Sequence, residues 1–394
     1  MRYVHPVITL PPDFTLLQVT PELETGGAEQ TTIDVAQAVI AAGGKALVAS
    51  RGGRMTSRLI ADGGRLVEMP VQSKNPLVML GNAARLIDLI RTEKVSVVHA
   101  RSRAPAFSAL WAAHATGVPF VATYHGVYNA RSSLKRWYNA VMTRGDLVIA
   151  NSDYTRDHVL AQHQLDPAKI VTIPRGVDLT RFDPRRIAPE RIEALRAAWG
   201  LTPDRAKLVF LLGGRLTRIK GHLLIIAAAA RMKAEGRDDF VIVFAGDDQG
   251  RTEYRQEILT AISDAGLEDV VKVVGHCDDM PAAFRLADVA LLPTLKPESF
   301  GRTAVEPQVM ERPVIVSDHG GARETVVEGE TGWRAPPGDL EAWVRAMTTA
   351  ITVGGARRRA MGEAAASRAR RLYSVNAMCE ATLEVYARVL EARA

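Results

Sequence analysis

Two glutamates with seven residues between them, Glu298 and Glu306 in the stretch PESFGRTAVE, bracket a loop-to-helix junction. A carboxylate accepts two or more hydrogen bonds, which suits the paired hydroxyls of a sugar or a ribose. With Glu298 in the loop and Glu306 about one turn into a helix, a rise of ~1.5 Å per residue sets the two acceptors roughly a hexose and a phosphate apart. Gly301 lets a backbone or ligand come close, and the amides after it, at Arg302 and Thr303, form an anion-binding helix start. Two acids that merely complement a helix dipole are the structural alternative.

A second constellation, Gly213-Gly214-Arg215-Leu216-Thr217-Arg218-Ile219-Lys220-Gly221, follows the apolar run LVFLL. Arg215 and Lys220 then stand on a loop at a strand's carboxyl end, where two cations neutralise a diphosphate. Departure of a diphosphate builds negative charge on its β-phosphate, and preorganised cations stabilise that charge most in the transition state. A third junction, Glu24-Thr25-Gly26-Gly27-Ala28-Glu29, opens the first helix with two glycines. It is not GxGxxG, and no such fingerprint occurs elsewhere, so a dinucleotide-dependent oxidoreductase lacks its main support. The fourth motif is Tyr124-His125-Gly126 after the run PFVAT, a histidine able to hydrogen-bond a hydroxyl or polarise a reacting group.

All four motifs sit where strand-like runs end. FTLLQVT, KALVAS, VSVVHAR, PFVATYHG and LVIANS alternate with helical segments in the first half. LVFLLGG, FVIVFAGD, VVKVVGH, VALLP and PVIVSD do so in the second. Such alternation predicts an α/β architecture of two doubly wound parallel sheets, with ligands at the carboxyl ends of the strands. The expected divisions are residues 1–180 and 181–370, followed by a C-terminal helix over 371–394 that packs back on the first domain. The proline- and charge-rich stretch near 178–204 reads as the interdomain linker.

The chain has 394 residues, 47% of them hydrophobic and 24% charged, more than one core usually supports and without a disordered composition. Two cysteines, Cys277 and Cys379, form no CxxC pattern, so neither a disulfide framework nor a zinc site is supported. The opening MRYVHPVITLPPDF lacks a long apolar core, and no run reaches the ~20 residues of a spanning helix. A cytoplasmic protein is expected. The net charge of +6 is uneven: residues 1–184 carry twenty Lys and Arg against fifteen Asp and Glu. That bias suits an anionic membrane surface or an acidic acceptor, a solvated surface being the equal alternative, and no nucleic-acid partner is expected.

Taken in order, these motifs resemble the retaining glycosyltransferases of family 4. The likeness extends through VIANSDYTRD, IPRGVDLTRFDP, VVGHCDDMPAAFRLADVALLP and VSDHGGARETVVEGETGW. It implies the GT-B fold, with a UDP- or GDP-linked sugar donor bound in a cleft between two Rossmann-like domains, no cofactor and no metal. Carried over, Glu298 contacts the donor sugar, Glu306 holds the ribose diol, and Arg215 and Lys220 grip the diphosphate. Gly214 lies in the same loop, backbone amides around Ser299, Phe300 and Gly301 assist at the sugar and phosphate, Gly27 beside donor-side Gly26 closes on the reacting centre, His125 sits beside the sugar, and the base lies near Gly275 and His276. Family members are thought to retain configuration by front-face attack, the leaving phosphate helping to deprotonate the acceptor. Three positions depart from the pattern: Arg302 replaces an apolar residue, Pro307 an alanine, and Arg175 the asparagine of IPNGVD. Pro307 predicts a kink or a short helix start.

Acceptor choice is expected in the first domain. Residues 128–142 read as a helix carrying Arg131, Lys135 and Arg136 beside Trp137, and Arg101 and Arg103 add charge near the same strand ends. This composition suits contact with anionic headgroups at the inner membrane face, and an ordinary amphipathic helix packed on the sheet is the structural alternative. With the resemblance of SFGRTAVE and SDHGGARETV to bacterial core transferases, it points to a lipid-linked or lipopolysaccharide-core saccharide acceptor. A soluble small-molecule glycosyltransferase, a two-domain nucleotide-sugar epimerase acting without an acceptor, and a non-catalytic nucleotide-sugar binder are the competing readings.

Overall fold

The computed structural model describes residues 10–24, 26–128, 132–201 and 207–393. The chain forms two compact units, Met1–Gly176 with Val375–Ala394, and Val177–Ser374. The first holds strands β1 (Thr15–Val19), β2 (Lys45–Ser50), β3 (Arg65–Glu68), β4 (Val97–Ala100), β5 (Phe120–Tyr124), β6 (Leu147–Ala150) and β7 (Ile170–Thr172). They form one parallel sheet in the order β3-β2-β1-β4-β5-β6-β7. The second holds β8 (Leu208–Gly213), β9 (Phe240–Ala245), β10 (Val271–Gly275), β11 (Val289–Leu292), β12 (Val314–Ser317) and β13 (Gly332–Ala335). Their order is β10-β9-β8-β11-β12-β13, again all parallel.

In both sheets the strand order reverses beside the first strand, at β1/β4 and at β8/β11. A doubly wound sheet opens its ligand crevice at such a switch point, outside the strands' carboxyl ends. The central strands are continuous buried runs because helices cover both faces: TLLQV, FVIVFA and VALL expose nothing. Short, half-exposed β3 and three-residue β7 lack that signature, and the sequence reading omits both.

One sequence expectation is corrected. The stretch near 178–204 is not a linker between the units: over its described part Phe182 and Leu201 are buried in the second unit's core, with a helix at Pro189–Ala198. The expected C-terminal helix does belong with the first unit, beginning at Val375. Helix Gly354–Leu372 belongs to the second unit, Tyr373 and Ser374 break it, and helix Val375–Glu391 joins the first. That last helix buries Met378, Cys379, Leu383, Tyr386 and Val389 against Phe14, Leu16 and Ile33. Its Tyr386 hydroxyl lies 2.6 Å from His99 Nδ1, whose Nε2 is 2.7 Å from Thr123 Oγ1. Burial above all, then Arg101 and His125, hold the His99 pKa well below its ordinary value, so the ring is neutral. One ring nitrogen therefore donates and the other accepts, and the two hydroxyls supply the complementary partners.

Candidate active site at the carboxyl ends of the second sheet

The β8 and β11 loops meet at the second unit's switch point. Gly221 is left-handed, and a Cβ there would lie 2.0 Å from the Pro293 carbonyl oxygen. Leu295 N–H donates to the Ile219 carbonyl at 2.8 Å, stitching the loops together. Lys220 Nζ consequently donates to Glu298 Oε1 at 2.5 Å, with only 11% and 24% of the two side chains exposed. Lys220 engages one carboxylate oxygen and leaves Glu298 Oε2 for another donor. Arg215, on the same β8 loop, is exposed and makes no ion pair among the described residues.

Glu298 is held from behind by the turn after β12. Gly321 N–H donates to the Glu298 carbonyl at 2.7 Å. A Cβ on Gly321 would lie 2.4 Å from the Ser299 carbonyl oxygen, and one on left-handed Gly320 would lie 2.6 Å from that of Glu298. His319 Nε2 reaches the Thr294 carbonyl at 2.9 Å, tying the turn to the end of β11. We expect Gly321→Ala to displace the Glu298 loop and lower kcat by roughly tenfold or more, with little change in nucleotide affinity. Steady-state kinetics beside nucleotide titration checks this; an unaltered kcat contradicts it.

Helix Arg302–Val309 begins immediately beyond left-handed Gly301. It has eight residues and carries Pro307 in its interior. Arg302 donates to Glu306 Oε1 at 2.9 Å from Nη2, a pair four residues apart on one helix face. The departure at 302 thus occupies one oxygen of the carboxylate assigned to the ribose. Phe300 is buried edge-on against Tyr373, while the Thr303 hydroxyl is buried without a hydrogen-bond partner among the described residues. That hydroxyl beside free helix-start amides fits a phosphate oxygen. Gly214 lies between Gly213 and Arg215, and its carbonyl packs against Gly246. Gly275 ends β10, where its carbonyl accepts from Gly246 N–H at 2.7 Å; exposed His276 pairs with Asp278 at 2.9 Å.

Beside this cluster His222 is fully buried, its ring edge-on to Phe244 and Tyr254. Burial first, then Lys220, lowers its pKa to about 4. The unfolded chain takes up that proton near ~6.5, so between the two values the native state binds fewer protons than the unfolded one. Stability therefore rises with pH in this window, and is lost as pH falls from ~6.5 toward 4, by up to about 1.4 kcal/mol per unit for this group. His222→Phe should flatten the acid dependence of the urea midpoint; an unaltered dependence contradicts it.

The first unit supplies its own candidates. Gly26 caps helix Gly27–Ala41. His125 is partly buried, its pKa well below the ordinary value, chiefly through burial and then Arg175 and Arg101. The Arg175 departure has a concrete use: its guanidinium donates to the His125 carbonyl at 2.9 Å, and Asn151 donates to the same oxygen at 3.1 Å.

Arg101 is corrected. It is 2% exposed and donates to Gln18 Oε1 at 2.9 Å through Nε, so it cannot meet a headgroup. The buried amide of Gln18 on β1 and the C-terminal helix enclose it. Arg103 donates to Asn139 Oδ1 at 2.8 Å and lies 3.9 Å over the Tyr128 ring. It faces a pocket of about 700 Å³ that Lys74, Tyr128, Lys135, Trp137 and Tyr138 also line. Arg131 lies outside the described residues. Lys135, Arg136 and Trp137 are exposed on helix Ser133–Asn139, shorter than the helix expected and followed by a 3₁₀ turn over Ala140–Thr143. Lys74 was missed; its one signal is its place before the Asn75-Pro76 helix start.

Residues 25–181 match the model for Glycosyltransferase Family 4, and residues 193–368 that for Glycosyl transferases group 1. A glycosyltransferase structure from Rickettsia africae is 33% identical, covering 96% of this chain and 99% of its own, with a TM-score of 0.89. Anabaena Alr3699/HepE, solved with UDP and glucose, shares the fold at 22% identity and a TM-score of 0.79, covering 95% of this chain and 100% of its own. Among curated relatives, D-inositol 3-phosphate glycosyltransferase of Kineococcus radiotolerans is 35% identical over 268 residues, 64% of this chain and 60% of the relative. The chain is thus matched to about three-fifths of that relative's length. Two Rossmann-like units, the Lys220–Glu298 cluster and these similarities lead to one assignment: the chain belongs to the family 4 glycosyltransferases of GT-B fold.

Proposed function

We propose that the protein transfers a hexose of mannose or glucose type from a UDP- or GDP-linked donor, with retention and without a divalent metal, to a lipid-linked saccharide such as a lipopolysaccharide core. The observation that carries this reading is the Lys220–Glu298 pair at the β8/β11 switch point, one short loop before the Arg302–Glu306 pair. In it Arg215 and Lys220 stabilise charge on the departing diphosphate, with Thr303 and the helix-start amides as further donors. Glu298 orients the sugar through its remaining oxygen, and Glu306 accepts from the ribose. His125, neutral because burial lowers its pKa, is the first unit's candidate to contact a sugar hydroxyl. Front-face attack leaves the acceptor proton to a phosphate oxygen, so no protein carboxylate serves as nucleophile.

A second acceptor reading has its own support. Lys74, Arg103 and Lys135 gather three cations around a pocket that also offers aromatic faces, which fits a phosphate-bearing cyclitol ring as well as a charged saccharide. The named activity of the Kineococcus relative agrees with that chemistry. The test is incubation with UDP- and GDP-hexoses in chelator, with D-inositol 3-phosphate, with a truncated core glycolipid, and with no acceptor. Our reading expects a glycolipid product of unchanged anomeric configuration by NMR. Transfer to the cyclitol alone selects the second reading, and an epimerised donor without acceptor rejects both.

A further inference from the structure

One tyrosine touches both of the elements that hold Glu298. Tyr373 ends helix Gly354–Leu372 and is 5% exposed. Its ring meets that of Phe300 edge-on, with centroids 5.5 Å apart and planes at 69°. Phe300 stands two residues after Glu298 and is itself buried, so this contact fixes the Glu298 loop on one side. At the far end of the same side chain, the hydroxyl donates to the Glu324 carbonyl at 3.2 Å. Glu324 lies in the 3₁₀ turn Gly321–Thr325, whose first amide donates to the Glu298 carbonyl.

Arg368, five residues earlier, completes the arrangement. Its Nη1 donates to the Tyr373 hydroxyl at 3.0 Å and to the Thr325 carbonyl at 3.1 Å, and its Nη2 donates to the Glu324 carbonyl at 3.0 Å. The phenol thus accepts from a guanidinium and donates to a carbonyl, with both roles of its oxygen in use. A charged donor strengthens such bonds. Turn and loop also interlock directly: a Cβ on left-handed Gly301 would lie 2.9 Å from that of Ala322. The backbone of Tyr373 is pinned as well, its carbonyl accepting from Val177 N–H at 2.7 Å. A phenylalanine at this position would supply the ring contact alone, so the hydroxyl and Arg368 serve the turn.

We propose that Tyr373 is a positioning residue for the donor sugar: buried and out of reach of substrate, it braces the Glu298 loop at Phe300 while its hydroxyl and Arg368 hold the turn behind. The inference rests on the reading of Glu298 as the carboxylate that orients the sugar. A group misplaced by ~1 Å can cost about two orders of magnitude in rate, so a brace remote from the chemistry carries kinetic weight. Calorimetric titration tests it with UDP, UDP-glucose, GDP and GDP-mannose, on wild type, Tyr373→Phe, Arg368→Met and Glu298→Ala. For the nucleotide that wild type accepts, Tyr373→Phe should weaken the nucleotide sugar by about fivefold to tenfold and leave the affinity of the free nucleoside diphosphate unchanged. The transfer kcat should fall by a similar factor. Arg368→Met should behave alike, and the double variant should be little worse than either single one. A residue that only stabilises the fold would lower the melting temperature and leave both affinities as they are; that result overturns the inference, as does equal weakening of diphosphate and nucleotide sugar. Glu298→Ala keeps the two levels apart. If it leaves the affinity of the nucleotide sugar unaltered, the reading of Glu298 fails and the brace has nothing to position. If it lowers that affinity and Tyr373→Phe does not, the inference alone fails.

Discussion

Lys220→Ala should lower kcat by about two to three orders of magnitude, the typical loss when a preorganised donor to developing negative charge is removed from an active site. The geometry gives this residue two tasks. Its ammonium fixes one oxygen of Glu298, and its place on the β8 loop brings positive charge to the anion-binding end of the sheet. Removing it leaves a Glu298 carboxylate that is only 24% exposed without its partner and free to turn away from the sugar. Glu298→Ala should cost a similar factor while the melting temperature stays close to that of wild type, because the side chain packs in no core. Since the two residues act as a pair, the double variant should be little worse than either single one. Equal turnover by wild type and Glu298→Ala would reject the assignment of that residue, and fully multiplicative losses would reject the pairing.

The largest stability loss is expected at Tyr386. Its ring is fully buried, stacks on Phe14 with centroids 6.0 Å apart, and meets the His99 ring edge-on at 5.6 Å. Tyr386→Ala opens a cavity costing about 3–5 kcal/mol and strips His99 Nδ1 of its hydrogen-bond partner. Against a typical stability of about 5–15 kcal/mol, that would leave the first unit marginal or unfolded. Tyr386→Phe keeps the ring and should cost about 1–3 kcal/mol, isolating the buried hydrogen bond. Urea unfolding of both variants checks the pair of values. A Tyr386→Ala protein as stable as wild type would mean that the C-terminal helix does not hold the first unit together.

Much of the fold was legible because parallel sheets covered on both faces write themselves as uninterrupted apolar runs. LVFLL, FVIVF and VALL could hardly be anything else, and Arg215, Lys220, Glu298 and Glu306 follow such runs. Other features were hidden for physical reasons. Arg101 looks like a surface cation from its type, yet Gln18, fourteen residues before the helical carbonyl of Thr32 that it also binds, satisfies it inside the core. Val177, Phe182 and Leu201 are spaced too irregularly among prolines and charges to announce a packed segment. The partnership of Gly321 with Glu298 joins residues far apart in sequence through backbone contact, and no side-chain pattern encodes it. Arg302 and Glu306 stand four apart, a spacing that does predict an ion pair on a helix, but only the coordinates say that the pair forms at the carboxylate wanted by the ribose.

Calorimetric titration of UDP and of GDP in the presence of a chelator, into wild type and into the Arg215→Ala, Lys220→Ala double variant, addresses the donor site most directly. One nucleoside diphosphate should bind wild type and weaken by roughly two orders of magnitude in the variant, since two charge-assisted contacts are lost. The same affinity in both proteins, for either nucleotide, would contradict a diphosphate held by these cations.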